Sequence, residues 1–95
     1  MKTITANELQ KKIDAGEPIT CLSIKYISDG CHEQCMWLGT EEPQIGQKIF
    51  VDSAIMPDYG TVEEIYQSII NENYENEGGD SVFIAEPVEE AFELI

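Results

Sequence analysis

Apolar and polar positions alternate from Ile19 to Ser28 in β-forming residues, with Leu22, Ile24 and Tyr26 on one face, a period-two pattern that predicts a strand. Ahead of it, Thr5-Ala6-Asn7-Glu8 has the form of a capping box, and Leu9 and Ile13 share a helical stripe before Gly16 and Pro18 end the segment. Residues 6–15 are therefore expected to form a short helix. Asp29-Gly30 is a favoured two-residue hairpin turn, and Cys35-Met36-Trp37-Leu38 beyond it is strand-like. A turn centred there sets Leu22 opposite Trp37 and Ile24 opposite Cys35, on one coherent apolar face. Pro43 and Gly46 mark a loop, and Ile49-Phe50-Val51 suits a third strand that Ala54 to Met56 extends.

In the second half, Pro57-Asp58-Tyr59-Gly60 reads as a turn and Thr61-Val62-Glu63-Glu64 as a second capping box. Val62, Ile65, Tyr66, Ile69 and Ile70 follow the i, i+3, i+4, i+7, i+8 spacing of a one-sided helix, predicted over 62–74. Gly78-Gly79 breaks the chain, Ser81 to Ala85 reads as a strand, and Pro87 opens a tail in which Val88 and Phe92 share a helical face. The expected fold class is α+β. It comprises a small, mainly antiparallel sheet of three or four strands with two or three short helices on one face, all in a single domain over residues 1–95.

Charge changes the picture more than composition does. The formal net charge is -14, and every one of the five basic residues is a lysine at or before Lys48. Beyond it come only acids: Asp52, Asp58, Glu63, Glu64, Glu72, Glu75, Glu77, Asp80, Glu86, Glu89, Glu90 and Glu93. Such a half-chain cannot neutralise itself by internal ion pairs, so it repels nucleic acid and anionic membrane and attracts basic surfaces. The charge also exceeds the magnitude of roughly 2–8 that solubility asks of a small domain. Met1-Lys2 followed by a polar amphipathic stretch shows no secretory h-region, and three cysteines are an odd number, so a cytoplasmic protein with reduced thiols is expected.

Structure explains some of these acids. Glu8, Glu63 and Glu64 fall in predicted first turns, where a carboxylate meets free amides and the positive end of the helix dipole. Glu72, Glu75 and Glu77 fall at the predicted helix C-terminus, where the dipole disfavours them. With Asp80 they form the run ENYENEGGD, in which Tyr74 is a candidate aromatic anchor. The candidate partner-binding residues are Glu72, Tyr74, Glu75, Glu77 and Asp80, with Glu63, Glu64, Glu89, Glu90 and Glu93 as outlying charge.

Cys31-His32-Glu33-Gln34-Cys35 is the one segment with the residue types of a reactive site. On a single strand its two cysteines stand about 13 Å apart, too far for a disulfide or a shared metal. A zinc site would need the segment looped and Cys21 or a carboxylate added. A thiolate would find no basic neighbour. The opening ITANELQKKIDAGEPI resembles the first helix of rhodanese-like domains, but the aspartate-to-arginine segment and the arginine-ended cysteine loop of that family are absent, which excludes sulfur transfer. No glycine-rich phosphate loop or EF-hand spacing occurs. No catalytic residue, cofactor or metal is expected.

In charge, size and lack of an evident active site, the chain is similar to the loose class of DNA-mimic proteins, many of them phage or mobile-element products that block restriction or CRISPR systems. That resemblance implies a non-enzymatic inhibitor, monomeric or homodimeric, acting in the host cytosol on a basic nucleic-acid-binding protein or nuclease complex without touching nucleic acid. Its carboxylates would stand where phosphates stand, held by arginine forks. Two other readings are an antitoxin or immunity protein covering a basic nuclease site, and a small metal- or thiol-dependent domain at Cys31 to Cys35.

Overall fold

The computed structural model describes residues 3–52 and 58–88, and they build a closed five-stranded barrel. The elements are helix α1 (Ala6–Asp14) and strands β1 (Ile19–Tyr26), β2 (His32–Trp37), β3 (Lys48–Asp52), β4 (Asp58–Ser68) and β5 (Phe83–Pro87). Around the barrel the order is β1-β2-β5-β3-β4, returning to β1. Every pairing is antiparallel except β2 with β5. The expected α+β fold, a small sheet with two or three helices on one face, is thus corrected: the described residues form one helix and a wall that closes on itself.

The predicted helix over 62–74 is instead strand β4 as far as Ser68 and irregular crossover beyond it, and the reason lies in one extra residue. Pairing with β1 steps from Ser23 opposite Glu64 to Ile24 opposite Val62, so Glu63 is the surplus residue of a β-bulge. The bulge resets the alternation, and Val62 and Ile65 both take inward register positions opposite Ile24 and Leu22. Three-residue spacing between apolar positions, the mark of a helix, here comes from a strand with a bulge. Tyr66 then falls on the outer face opposite Cys21. Asp58 to Gly60, read as a turn, belongs to the same strand. The proposed extension of β3 through Ala54–Met56 and the helical pairing of Val88 with Phe92 lie at least partly outside the described residues.

The first helix forms as expected, with Thr5 as its N-cap accepting from Glu8 N at 3.2 Å. The β1–β2 hairpin also forms, shifted by two residues: Leu22 faces Cys35 and Ile24 faces Glu33. Its loop takes in residues 27–30, because Tyr26 N donates to Cys31 O (2.8 Å) and Gly30 N to Tyr26 O (3.0 Å). Gly30 sits at φ 76°, a conformation open to glycine, while the Asp29 carboxylate accepts from Cys31 N at 2.9 Å. Ile27 N donates to Tyr59 O and Ser28 Oγ to Asp58, tying the wider loop to β4. A shift of two keeps parity, so the predicted inward face survives.

Two apolar layers result. Leu22, Ile24, Cys35, Trp37, Ile49, Val51, Val62 and Ala85 fill the interior. On the outer face of β1 and β2, Ile19, Cys21, Met36 and Leu38 pack under Leu9 and Ile13 of α1 and under Ile70 and Val82. The last two bracket the segment 69–82, which carries the chain from β4 across β1 and β2 to β5 on the far side.

Candidate partner-binding surface

The crossover 69–82 contains the run ENYENEGGD, and two asparagines shape it. Asn71 Oδ1 accepts from Asn73 N (2.8 Å) and Glu75 N (3.1 Å), and Asn71 N donates to Glu75 O (3.0 Å). Asn76 repeats the device, its Oδ1 accepting from Gly78 N and Asp80 N at 3.0 Å each. Asn76 N also donates to Asp80 O (2.9 Å), and Gly79 turns back to Asn76 O at φ 85°. Asparagine side chains substitute here for the backbone ladder that a helix or sheet would supply.

Glu72, Glu75 and Glu77 are therefore not at a helix end, and the dipole penalty expected of them does not apply. Glu75 accepts from Asn71 Nδ2 at 3.1 Å, and Glu77 Oε1 from Ile69 N at 3.0 Å, while Glu77 N donates to Ser68 Oγ at 2.9 Å. These two acids hold the loop as well as charge it. Glu72 and Asp80 are exposed at its surface. Tyr74 takes φ 56° and is about half exposed, its hydroxyl donating to Gln10 of α1 at 2.6 Å. The tyrosine fastens crossover to helix.

Glu63 and Glu64 stand on β4, not in a first helical turn, and a chain of hydrogen bonds joins their strand to the crossover. Asn76 Nδ2 donates to Tyr66 OH (3.1 Å), Tyr66 OH to Gln34 Oε1 (2.6 Å), and Gln34 Nε2 to Ser23 Oγ (3.2 Å), which faces Glu64 in register. Burial above all, with Asp80 as one of the weaker contributions, pushes the Tyr66 phenol up, while the Asn76 bond opposes the rise. Glu63 also meets His32 Nε2 at 2.6 Å across an exposed surface. This network ties β4, which bears Glu63 and Glu64, to the crossover, which bears Glu75, Glu77 and Asp80. Glu89, Glu90 and Glu93 fall outside the described residues.

Sequence reasoning passed over other acids. Asp29, Glu33 and Asp58 gather at the hairpin end of the barrel, where burial first and then their charges, with that of Cys35, push Tyr26 up to about 12. Burial also raises Glu33. Glu41 and Glu42 sit on the loop after β2 at the other end, flanking clefts of about 310 and 350 Å³ that share Trp37 and Gly39. Gly39 is required there, since a Cβ would lie 2.3 Å from the Trp37 ring. Gly39, ending the strand-like run after Trp37, was the available signal, since a glycine in a strand often marks a close approach.

The cysteines divide by burial. Cys35 points inward and Cys21 into the outer layer, and desolvation pushes them up to about 12 and about 11. Cys31 is exposed at the hairpin, its thiol raised chiefly by a hydrogen bond to Asp29. Among the described residues no three His, Cys, Asp or Glu side chains converge as metal ligands, and no helix is long and apolar enough to cross a membrane. No family model, curated protein or solved structure matches the chain.

Proposed function

We propose that this chain is an acidic binding protein whose β4–crossover band occupies the cation-lined groove of a nucleic-acid-binding protein or nuclease complex and excludes the polynucleotide. The observation that carries the reading is the built character of the band. Four backbone amides of the crossover donate to the side-chain oxygens of Asn71 and Asn76, Asn71 Nδ2 donates to the Glu75 carboxylate, and the network through Tyr66 and Gln34 couples the crossover to the wall bearing Glu64. Carboxylates on a pre-ordered surface need little further ordering when they meet arginine forks, which favours affinity. Anti-restriction and anti-CRISPR proteins of phages and mobile elements are the class that such a role resembles.

Catalysis by thiol is disfavoured, because the nucleophile is the thiolate, the two buried thiols stay protonated at neutral pH, and the hydrogen bond to Asp29 raises the exposed Cys31 thiol as well. The test is affinity capture from a host lysate at low and high salt, with wild type beside the triple variant Glu64→Lys, Glu72→Lys, Asp80→Lys. These three positions leave the carboxylates that hold the crossover in place. Basic nucleic-acid-binding proteins should elute with salt and be lost by about tenfold or more with the variant, chiefly through a slower on-rate. Equal capture by both proteins refutes the assignment.

A further inference from the structure

Strand β4 outruns the strand that closes the barrel against it. β3 pairs with it only from Asp58 to Thr61, and the last hydrogen bonds on that side join Val62 to Gln47 (3.0 Å) and to Gly46 (2.8 Å). From Glu64 to Ser68, among the described residues, β4 is paired by β1 alone. Beside this half strand lies the 310 Å³ cleft, lined by Thr20, Trp37, Ile65 and Gln67 of the wall and by Gly39 and Pro43 of the loop after β2. The far side is braced, with Trp37 Nε1 donating to Glu41 O at 2.8 Å. Ile65 is 38% exposed, an apolar side chain with room above it.

An open strand edge is a template for any extended chain, and charge decides which chain it accepts. Glu63 and Glu64 flank the edge along the strand, and Glu41 and Glu42 border the cleft across from it. A second copy of this chain, at net charge -14, is repelled from the position. A cationic segment is drawn to it. We propose that the Glu64–Ser68 edge of β4 receives an extended basic segment of the partner, added as a further strand, with an apolar side chain seated between Ile65 and Trp37 and lysines or arginines reaching Glu64 and the Glu41–Glu42 pair. Backbone hydrogen bonds give such strand addition its affinity, and alternate side chains give it selectivity. The inference rests on the acidic-inhibitor reading and adds a mode of contact to it.

The chain's one tryptophan, Trp37, lines the cleft and serves as the reporter. The full chain is titrated with an alternating lysine–valine peptide, with the same peptide N-methylated at alternate residues, and with an alternating glutamate–valine peptide. The basic peptide should shift Trp37 emission and slow hydrogen exchange within residues 64–68. N-methylation, which keeps the charge and removes the backbone donors, should weaken binding by about tenfold or more, as should Ile65→Lys in a protein of unchanged circular dichroism. Equal binding of the methylated and unmethylated peptides overturns strand addition and leaves the acidic-band reading intact. Binding of the acidic peptide, or no response of Trp37 and of these amides at low salt, also overturns it.

Discussion

The barrel interior and the outer layer each gather eight buried residues, yet they are sealed by different means. The interior closes by strand parity alone: Leu22, Ile24, Ile49, Val51 and Ala85 are fully buried because each falls on the inward side of its strand. The outer layer is roofed by α1 and the crossover, whose backbone pairs with itself in tight turns and an isolated Glu75–Ser81 bridge, short of a full ladder for its amides. Asn71, Ser68 and the buried Asn76 supplement it from side chains. Apolar patterning builds the first core, whereas the second depends on a few specific hydrogen bonds, and the acidic band rides on the second.

The comparison breaks most visibly at the interior. Ile24→Ala removes a fully buried side chain with neighbours on opposing strands, and an equilibrium urea titration should show a loss of about 2–5 kcal/mol, felt by the whole molecule. Asn76→Ala should cost less, about 1–3 kcal/mol, by leaving the Gly78 and Asp80 amides and the Tyr66 hydroxyl short of a partner. Hydrogen exchange separates the two: Asn76→Ala should speed amides 76–80 well ahead of those of β1 and β3. Uniform acceleration would show the layers to be one cooperative unit.

The thiols sharpen the contrast in a gentler way. Cys35 inside and Cys21 outside both lie above the ordinary value of 9.0, at about 12 and about 11, so the folded chain holds their protons to higher pH than the unfolded chain does. Their contribution to stability is fully present below about pH 9 and is lost as pH rises toward 11 and 12, by about 1.4 kcal/mol per pH unit for each thiol. Urea midpoints measured at about pH 8 and about pH 10.5 should therefore fall, and Cys35→Ala should lessen the fall relative to its own value at pH 8. A midpoint unchanged over that interval contradicts the burial assigned to both cysteines.

Much of the first half was legible in the residues: the capped helix from Ala6, the strand from Ile19 and the strand around Ile49 stand where periodicity set them, and the hairpin forms in a different register. The hairpin register moved because Ile27 and Ser28 found partners on β4, residues thirty or more positions away that local turn preference does not see. The acidic run was legible as a run, but the reason for its asparagines was not. Asx turns at Asn71 and Asn76 become visible only when the helix reading of the preceding segment is dropped.

Residue order alone determined which side chains are apolar, where the chain must turn, and the large negative charge that any partner has to meet. Tertiary structure decided that Val62 and Ile65 share an inward face of a strand, because the bulge at Glu63 and the waiting partner β1 outweighed a helical spacing with no tertiary support of its own. It decided as well how the acidic crossover is tied to β4, since Asn76, Tyr66 and Gln34 join segments distant in the chain, and no local pattern encodes a closed ring of strands.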